Sequence, residues 1–383
     1  MEILCLNPAV SMRAYRQMKA LSETGSEVYL HCIGYGGSVK GLDYGFLAEN
    51  KKILMRKTPL SHFPQTLMPS AYKSKIRDII SDRDFDIILV HSMPDILGVA
   101  ANRYASIPVV FDERDMVTAF VRDHVLRNYI PDRYLKYRFV HSAANRTIYS
   151  KLQKLEREAN LRSDMRLYVS DYTYELARRK YNIPEENSMV FPNYAMRSDI
   201  HEQKDKISEK EGGVHIVYEG VLSFDGYRAP LLELFKKIAE MGIHIHIYGI
   251  GDPDVLRRYL ELQKRSAYYH FHEGLEHDLL MGELTRYDFG LIPFFPPGKE
   301  REHFDTMLPN KIFDYLAAGI PVIVPDSISM ARFVRKFGCG IILGDLDELR
   351  SRLEGSKIRI RREDFIIETH IEELLSSFRR VIR

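Results

Sequence analysis

Residues 308–324 read LPNKIFDYLAAGIPVIV, a helical pattern that runs directly into a strand. Pro309 suits the first turn of a helix, where no backbone donor is needed, and Gly319 suits its end. Pro321–Val324 is a short apolar run of the kind buried in parallel sheets. Lys311 falls in the first helical turn, where the helix dipole disfavours a cation by roughly a few tenths of a kcal/mol. An anion bound at that end reverses the sign, because free amides and an ammonium then converge on it. Asp314, one turn further on, stands where ribose hydroxyls beside a phosphate are within reach. A surface helix that merely tolerates its lysine is the competing reading, and spacing alone does not separate the two.

Upstream the alternation continues. Strand-like runs at Val214–Glu219, Ile243–Tyr248, Tyr268–His272 and Phe289–Phe294 interleave with helical patterns at Pro230–Met241, Pro253–Arg265 and His277–Tyr287. The first half of the chain repeats the scheme. Its strands are Glu2–Leu6, Val28–Ile33, Ile53–Met55, FDIILVH (85–91), IPVVF (107–111), Arg166–Val169 and Met189–Phe191. Its clearest helix, Met12–Thr24, stops at Gly25. Strand–helix alternation predicts an α/β chain with two doubly wound parallel sheets, and ligands outside the carboxyl ends of their strands.

The stretch 198–213, SDIHEQKDKISEKEGG, has only Ile200 and Ile207 as strongly apolar residues and reads as a linker. The expected organisation is therefore an N-terminal domain over 1–200, a charged linker over 201–213 and a C-terminal domain over 214–360. An amphipathic helix follows over 361–383. Phe365, Ile367, Ile371, Leu374, Leu375 and Phe378 share one broad face of it, which needs a partner surface, expected at the domain junction.

A length of 383 residues suits two such domains. With 45% hydrophobic and 28% charged residues the chain is globular in composition. A formal charge of +2 creates no global field favouring nucleic acid. Cys5, Cys32 and Cys339 are far apart and odd in number, which suggests buried thiols in a reducing compartment. No apolar run reaches the length of a membrane span, about 18 residues, and the first strand lacks the flanks of a signal peptide. The expectation is a cytoplasmic protein whose membrane contact, if present, is peripheral. Residues 122–162 bear on that contact: ten Lys/Arg stand against four acids, with Tyr129, Tyr134, Tyr137, Phe139 and Tyr149 interspersed. Such a surface suits anionic lipid headgroups or an anionic glycan; the alternative is the solvated face of a long helix.

PNKIFDYLAAGIPVI resembles the donor-binding segment of the family 4 glycosyltransferases, and colinear motifs extend the resemblance over about 320 residues. Arg13, Arg16, Leu21, Gly25 and Val28 match the opening helix. FDIILVHSMPD resembles the strand that ends in a donor-facing histidine, here His91. IPVVFDERDM, LYVSDYT and VFPNY follow in order. YEGVLSFDGYRAPLLELF resembles the glycine turn at Gly220 that meets the diphosphate, and IYGIGD carries Gly249 and Gly251. The resemblance implies a GT-B fold, two Rossmann-like domains facing a central cleft. It also implies a retaining, metal-independent hexosyltransferase-type enzyme with no cofactor beyond its co-substrate, a nucleotide-diphosphate sugar of UDP or GDP type. The acceptor would be a glycan or a lipid-linked glycan.

The chain departs from the family pattern at informative places. The family places two glutamates with seven residues between them, whereas Thr306 and Asp314 stand here; Glu302 and Asp305 are out of register. The arginine expected after the first strand of the second domain is Val221, which leaves Arg228 as the diphosphate cation. Growing charge on the leaving diphosphate would be stabilised by Arg228, Lys311 and the helix end at Pro309, Asn310 and Lys311. His91 would position the donor sugar, and Asp115 or Glu113 the acceptor. Asp112 also reads as a loop cap, and Arg13 and Arg16 as the solvent face of their helix, with a role in the cleft as the alternative. Gly34–Gly37 (GYGG) is not a dinucleotide fingerprint and reads as a turn. Two rival functions remain open: a catalytically silent GT-B subunit that binds nucleotide or supports a partner, suggested by Thr306 and Val221, and a GT-B enzyme of another reaction, a nucleotide-sugar epimerase or a DNA glucosyltransferase.

Overall fold

The computed structural model describes residues 1–7, 11–33, 53–58, 67–92, 95–120, 125–126, 129–130, 132–224, 228–293 and 301–382. Gly34–Gly37, Arg122 and Arg127 lie outside the described residues. The chain divides into two compact units. One comprises Met1–Pro192, Lys299–Met307 and His370–Arg383; the other comprises Asn193–Gly298 and Leu308–Thr369.

In the first unit seven strands form one sheet: β1 (Glu2–Asn7), β2 (Glu27–Ile33), β3 (Ile53–Thr58), β4 (Ile87–His91), β5 (Val109–Glu113), β6 (Met165–Tyr168) and β7 (Ser188–Val190). Their order is β3-β2-β1-β4-β5-β6-β7, and every pairing is parallel. β4 and β5 are buried at every residue, which explains their unbroken apolar sequence. The helix Met12–Glu23 begins at Ser11, whose hydroxyl accepts from the Ala14 amide at 3.2 Å. It ends before Gly25, which takes φ +90°, a conformation other residues resist.

The second unit repeats the plan with six strands: β8 (His215–Leu222), β9 (His244–Gly251), β10 (Tyr269–Glu273), β11 (Phe289–Leu291), β12 (Val322–Pro325) and β13 (Gly340–Leu343). The order β10-β9-β8-β11-β12-β13 is again all parallel. In each sheet the winding direction reverses beside its first strand, between β1 and β4 and between β8 and β11. Doubly wound sheets open their ligand sites outside the carboxyl ends of the strands at such points.

Three strands of the second sheet carry an uncommon side-chain row. His215, His244, His246, His270 and His272 alternate with apolar neighbours such as Ile245, Ile247 and Phe271, so all five imidazoles share one face. His215 and His246 are joined at 2.9 Å, His246 and His272 at 3.0 Å, and His244 and His270 at 3.0 Å. His215 and His244 stack with centroids 4.2 Å apart. Gly212 O lies 3.1 Å from His215 Nε2 and can only accept. With every ring neutral, this fixes a direction: His272 donates to His246, His246 to His215, and His215 to the carbonyl.

The stretch read by composition as a linker is built into the second unit. Residues Ile207–Glu211 form a short helix, and Ile207 is buried. Lys206 Nζ donates to the carbonyls of Thr285 and Tyr287 at 2.9 and 2.6 Å, and Ser208 donates to Asp288 at 2.7 Å. At the far end, the helix Ile367–Ile382 buries Ile371, Leu374, Leu375 and Phe378, and its residues from His370 onward group with the first unit.

Candidate functional site

In the first unit the polar centre lies at the carboxyl ends of β4 and β5. Asp112 is fully buried, yet its carboxylate is saturated. Arg13 binds it through two nitrogens at 2.8 and 2.7 Å, Gln17 donates at 3.0 Å, and His91 Nδ1 approaches at 3.1 Å. Burial alone would push this carboxyl up, but Arg13 and His91 outweigh it and hold Asp112 well below the usual carboxylate range. The remaining Arg13 nitrogen donates to Pro192 O at 3.0 Å. Arg13 and Arg16 are buried, not lined up on the solvent face expected from their helix. Asp112 likewise holds a network where the sequence suggested a loop cap.

This arrangement leaves two buried atoms without a partner among the described residues, Gln17 Oε1 and His91 Nε2. His91 is buried, its Nδ1 is committed to Asp112, and its Nε2 has no hydrogen-bond partner among the described residues. Leaving a buried ring nitrogen unsatisfied costs about 1–3 kcal/mol, and this one sits at the carboxyl end of a strand, where doubly wound sheets open their ligand sites.

Glu113 does not join this centre. Successive strand residues point to opposite faces, so Asp112 meets His91 while Glu113 meets the helix Ser150–Arg162. There it accepts from Asn160 at 2.7 Å, and Asn160 in turn accepts from Tyr168 at 2.9 Å. Glu156 in the same helix accepts from the amide and hydroxyl of Thr118 at 2.9 and 2.6 Å. Burial first, then the neighbouring Asp95 and Glu156, raise the Glu113 carboxyl well above its ordinary value. Asp115 is half-buried in the loop after β5 and pairs with Arg114 at 2.7 Å. Thr306 is buried and groups with the first unit. Its hydroxyl donates to His303 O at 2.7 Å, and its carbonyl accepts from Ser170 and Thr173 at 3.3 and 3.2 Å.

In the second unit, Gly220 near the end of β8 takes φ +136°. The ammonium of Lys311, in the first turn of the helix Asn310–Ala317, donates to Glu219 O at 2.7 Å and lies 4.4 Å from the centroid of the Tyr218 ring. Burial works against its charge, yet Tyr218 and Glu219 together hold its pKa above the ordinary lysine value. Arg228 is close enough to oppose that charge. The Lys311 ammonium thus stands beside a residue without a side chain, at a helix end that no side chain caps, with a second cation in electrostatic reach. Pro309 is the N-cap residue of that helix, and Asn310 Oδ1 is buried without a partner among the described residues.

Asp314, on the same helix, stands with Asp199 and His277; one ligand atom from each lies within 4.8 Å of the others. Asp199 Oδ1 is 3.0 Å from His277 Nε2, and Oδ2 accepts from the Met196 amide at 2.8 Å. Of the described residues, these three have the donor set to hold a cation. Gly249 and Gly251 are packing positions: a Cβ would meet Leu222 Cδ1 at 2.3 Å and Leu222 O at 2.6 Å respectively. Next to them the register partners Val221 and Ile250 are 43% and 42% exposed, an apolar step at the carboxyl end of the sheet.

Of the residues singled out from sequence, the structure brings together Gly220 and Lys311, with Arg228 near enough to be felt electrostatically. It leaves Glu113 on the opposite face from His91. Asp112, Gln17, Asp199 and His277 were missed as site residues. Asp112 was within reach: an acid ending a buried apolar run needs a partner, and Arg13 is an early basic residue on the first helix.

Residues 10–194 match the model of Glycosyltransferase Family 4, and residues 230–359 match that of the Glucosyltransferase 3-like C-terminal domain. Glucosyltransferase 3 of Streptococcus gordonii is 31% identical over 99 residues, 23% of this chain and 30% of that protein. The chain thus aligns with under a third of the length of this curated relative. Among solved structures, the apo form of the lipopolysaccharide outer core galactosyltransferase WaaB superposes with a TM-score of 0.65 at 14% identity, covering 99% of both chains. HepE of Anabaena in complex with UDP gives 0.58 at 13% identity over 100% of this chain and 97% of that one. UDP-GlcNAc 2-epimerase from Neisseria meningitidis bound to UDP-GlcNAc gives 0.56 at 13% identity, covering 99% and 100%. At these identities the superpositions speak for the fold, which is GT-B.

Proposed function

The chain belongs with the family 4 glycosyltransferases, and from that premise we propose that it transfers a hexose from a UDP- or GDP-sugar to a glycan or lipid-linked acceptor, with retention and without a metal. The observation that carries the donor half of this reading is the Lys311 ammonium held on the Glu219 carbonyl beside Gly220, with Arg228 within electrostatic reach of it. A departing nucleoside diphosphate gains negative charge as the glycosidic bond breaks. Preorganised cations and helix amides at that position lower the barrier more than they tighten the ground state. Asp314 is the proposed ribose ligand, and the apolar step of Val221 and Ile250 suits the face of a nucleobase. Pro309 and Asn310 supply the helix end, and Gly249 and Gly251 keep the neighbouring strand end close-packed.

In the first unit, His91 is proposed to meet a sugar hydroxyl through Nε2, oriented by Asp112 and Arg13. Asp115 is the proposed acceptor-side carboxylate. Glu113, shielded in its own network, is no longer proposed for that task. The acceptor's proton passes to the departing phosphate, so no enzyme base is required. Contact with an anionic membrane through the N-terminal half accompanies the lipid-linked acceptor reading, and a cytoplasmic location fits the reduced thiols expected of Cys5 and Cys339.

A second reading is an epimerase, favoured by the fold it shares with UDP-GlcNAc 2-epimerases; a silent nucleotide-binding subunit is a third, prompted by Thr306. The first experiment is calorimetric titration of UDP, GDP, ADP and CMP into the wild type, Arg228→Ala and Asp314→Ala. One diphosphate should bind selectively, and each substitution should weaken it roughly 10- to 100-fold. Absence of binding by all four nucleotides would sink the transferase reading. Binding accompanied by an altered free sugar, with no acceptor present, would favour the epimerase.

A further inference from the structure

We propose that the outward face of residues 133–139 docks the protein on an anionic lipid surface. The inference deepens the membrane contact read above by naming the surface, and its test needs neither donor nor acceptor. Between residues 133 and 155 the chain carries six Lys/Arg and no Asp or Glu. That bias alone would describe a solvated helix; the structure adds its orientation. Leu135, the last residue of the short helix Asp132–Leu135, packs inward on the apolar cluster of Val117, Leu126, Tyr149 and Leu152. The segment is thereby anchored from behind, and Arg133, Tyr134, Lys136, Tyr137, Arg138 and Phe139 are all exposed.

Its aromatic side chains are unusually free of cover: Tyr134 is 46%, Tyr137 48% and Phe139 75% exposed. Arg133 lies 4.8 Å from the Tyr134 ring centroid and Lys136 lies 5.2 Å from that of Tyr137, so cations and rings form one layer. Tyr137 and Phe139 sit 6.1 Å apart. Tyrosine rings with polar tips belong at the headgroup level, and a lone phenylalanine reaches past them. Lysine and arginine beside them meet lipid phosphates. A protein partner would be expected to find hydrogen-bonding or acidic groups mixed into such a face, and here the charge is of one sign. No helix among the described residues is long and apolar enough to cross a membrane, so this face would attach the chain from one side.

The chain contains no tryptophan, so Phe139→Trp in the full chain installs a single reporter at the most exposed aromatic of the face. Mixing it with phosphatidylcholine vesicles containing phosphatidylglycerol should shift its emission to the blue and sediment the protein. Vesicles of phosphatidylcholine alone should do neither. Lys136→Gln with Arg138→Gln should weaken association about 25-fold, at about fivefold per cation removed, and added salt should weaken it further. Circular dichroism melts identify any variant that has lost its fold, and sedimentation of the unmodified chain then provides the same reading. Absence of both signals with anionic vesicles overturns the proposal. So does equal binding to neutral vesicles, or a shift produced by a soluble polyuronate but not by vesicles, which would assign the face to an acidic glycan. None of these outcomes bears on nucleotide affinity, so failure here leaves the transferase reading intact.

Discussion

A Cβ on Gly220 would stand 2.8 Å from the Nζ of Lys311. In its present position on the Glu219 carbonyl the ammonium leaves no room for a side chain at residue 220, and the φ of +136° independently favours glycine there. Gly220→Ala should therefore cost about 1–3 kcal/mol of stability from backbone strain. It should also displace Lys311 and weaken diphosphate binding by an order of magnitude or more. Thermal melts and calorimetry on the same preparation check both halves. Tight binding by a destabilised variant would show that Lys311 does not contact the ligand.

Asp112→Asn tests the buried network behind His91. Removing the charge strands Arg13 in a dry site, and breaking a buried pair in this way costs about 3–5 kcal/mol. The folded carboxyl lies below its unfolded value, so its contribution is present above about pH 4 and is lost as pH falls through the folded value. Urea melts of wild type and variant between neutral and acid pH should converge as Asp112 takes its proton.

The histidine row gives a second pH dependence, at higher pH. Burial first, then the neighbouring imidazoles, push His246 down to about 2 and His270 to about 4. The unfolded chain takes these protons near pH 6.5. Stability is therefore full above about pH 6.5 and declines as pH falls towards the folded values. The largely buried His246 contributes up to about 1.4 kcal/mol per pH unit. His246→Leu should flatten this slope between pH 6.5 and 5. Parallel slopes for variant and wild type would show that the row is not what titrates.

Glu113→Gln separates a structural from a catalytic carboxyl. Because burial, Asp95 and Glu156 all disfavour the charged Glu113 carboxyl, a neutral amide of the same shape should leave stability near pH 7 within about 1 kcal/mol, or raise it. The raised folded pKa means that Glu113 favours folding at low pH and loses that benefit as pH rises, a trend the glutamine removes. Sugar transfer should be unaffected. Loss of activity in a fully folded variant would return Glu113 to the reacting centre.

The parts of the fold that were legible are those encoded by neighbours in sequence. FDIILVH could only be a strand buried on both faces, and β4 ends at His91 as that run implies. The helix following Pro309 was equally plain. What escaped depends on residues far apart. Asp112 and Arg13 are separated by 99 positions, and no local pattern announces that pair. Ile207 looked like a stray apolar residue among charges, yet one buried isoleucine and one lysine on two carbonyls hold that stretch to its unit. The histidine row needs the registers of β8, β9 and β10 together before five scattered residues become one feature.

The first unit draws on three separated stretches, Met1–Pro192, Lys299–Met307 and His370–Arg383. A ribosome delivers them in that order, with the entire second unit emerging before the last. At about 5–20 residues per second, the N-terminal sheet waits on the order of ten seconds for Ile371, Leu374, Leu375 and Phe378 to arrive. Until then the surface those side chains will occupy is uncovered. The newborn chain thus passes through a state in which its second half can be finished while its first cannot, and that interval is when a chaperone would find the most to bind.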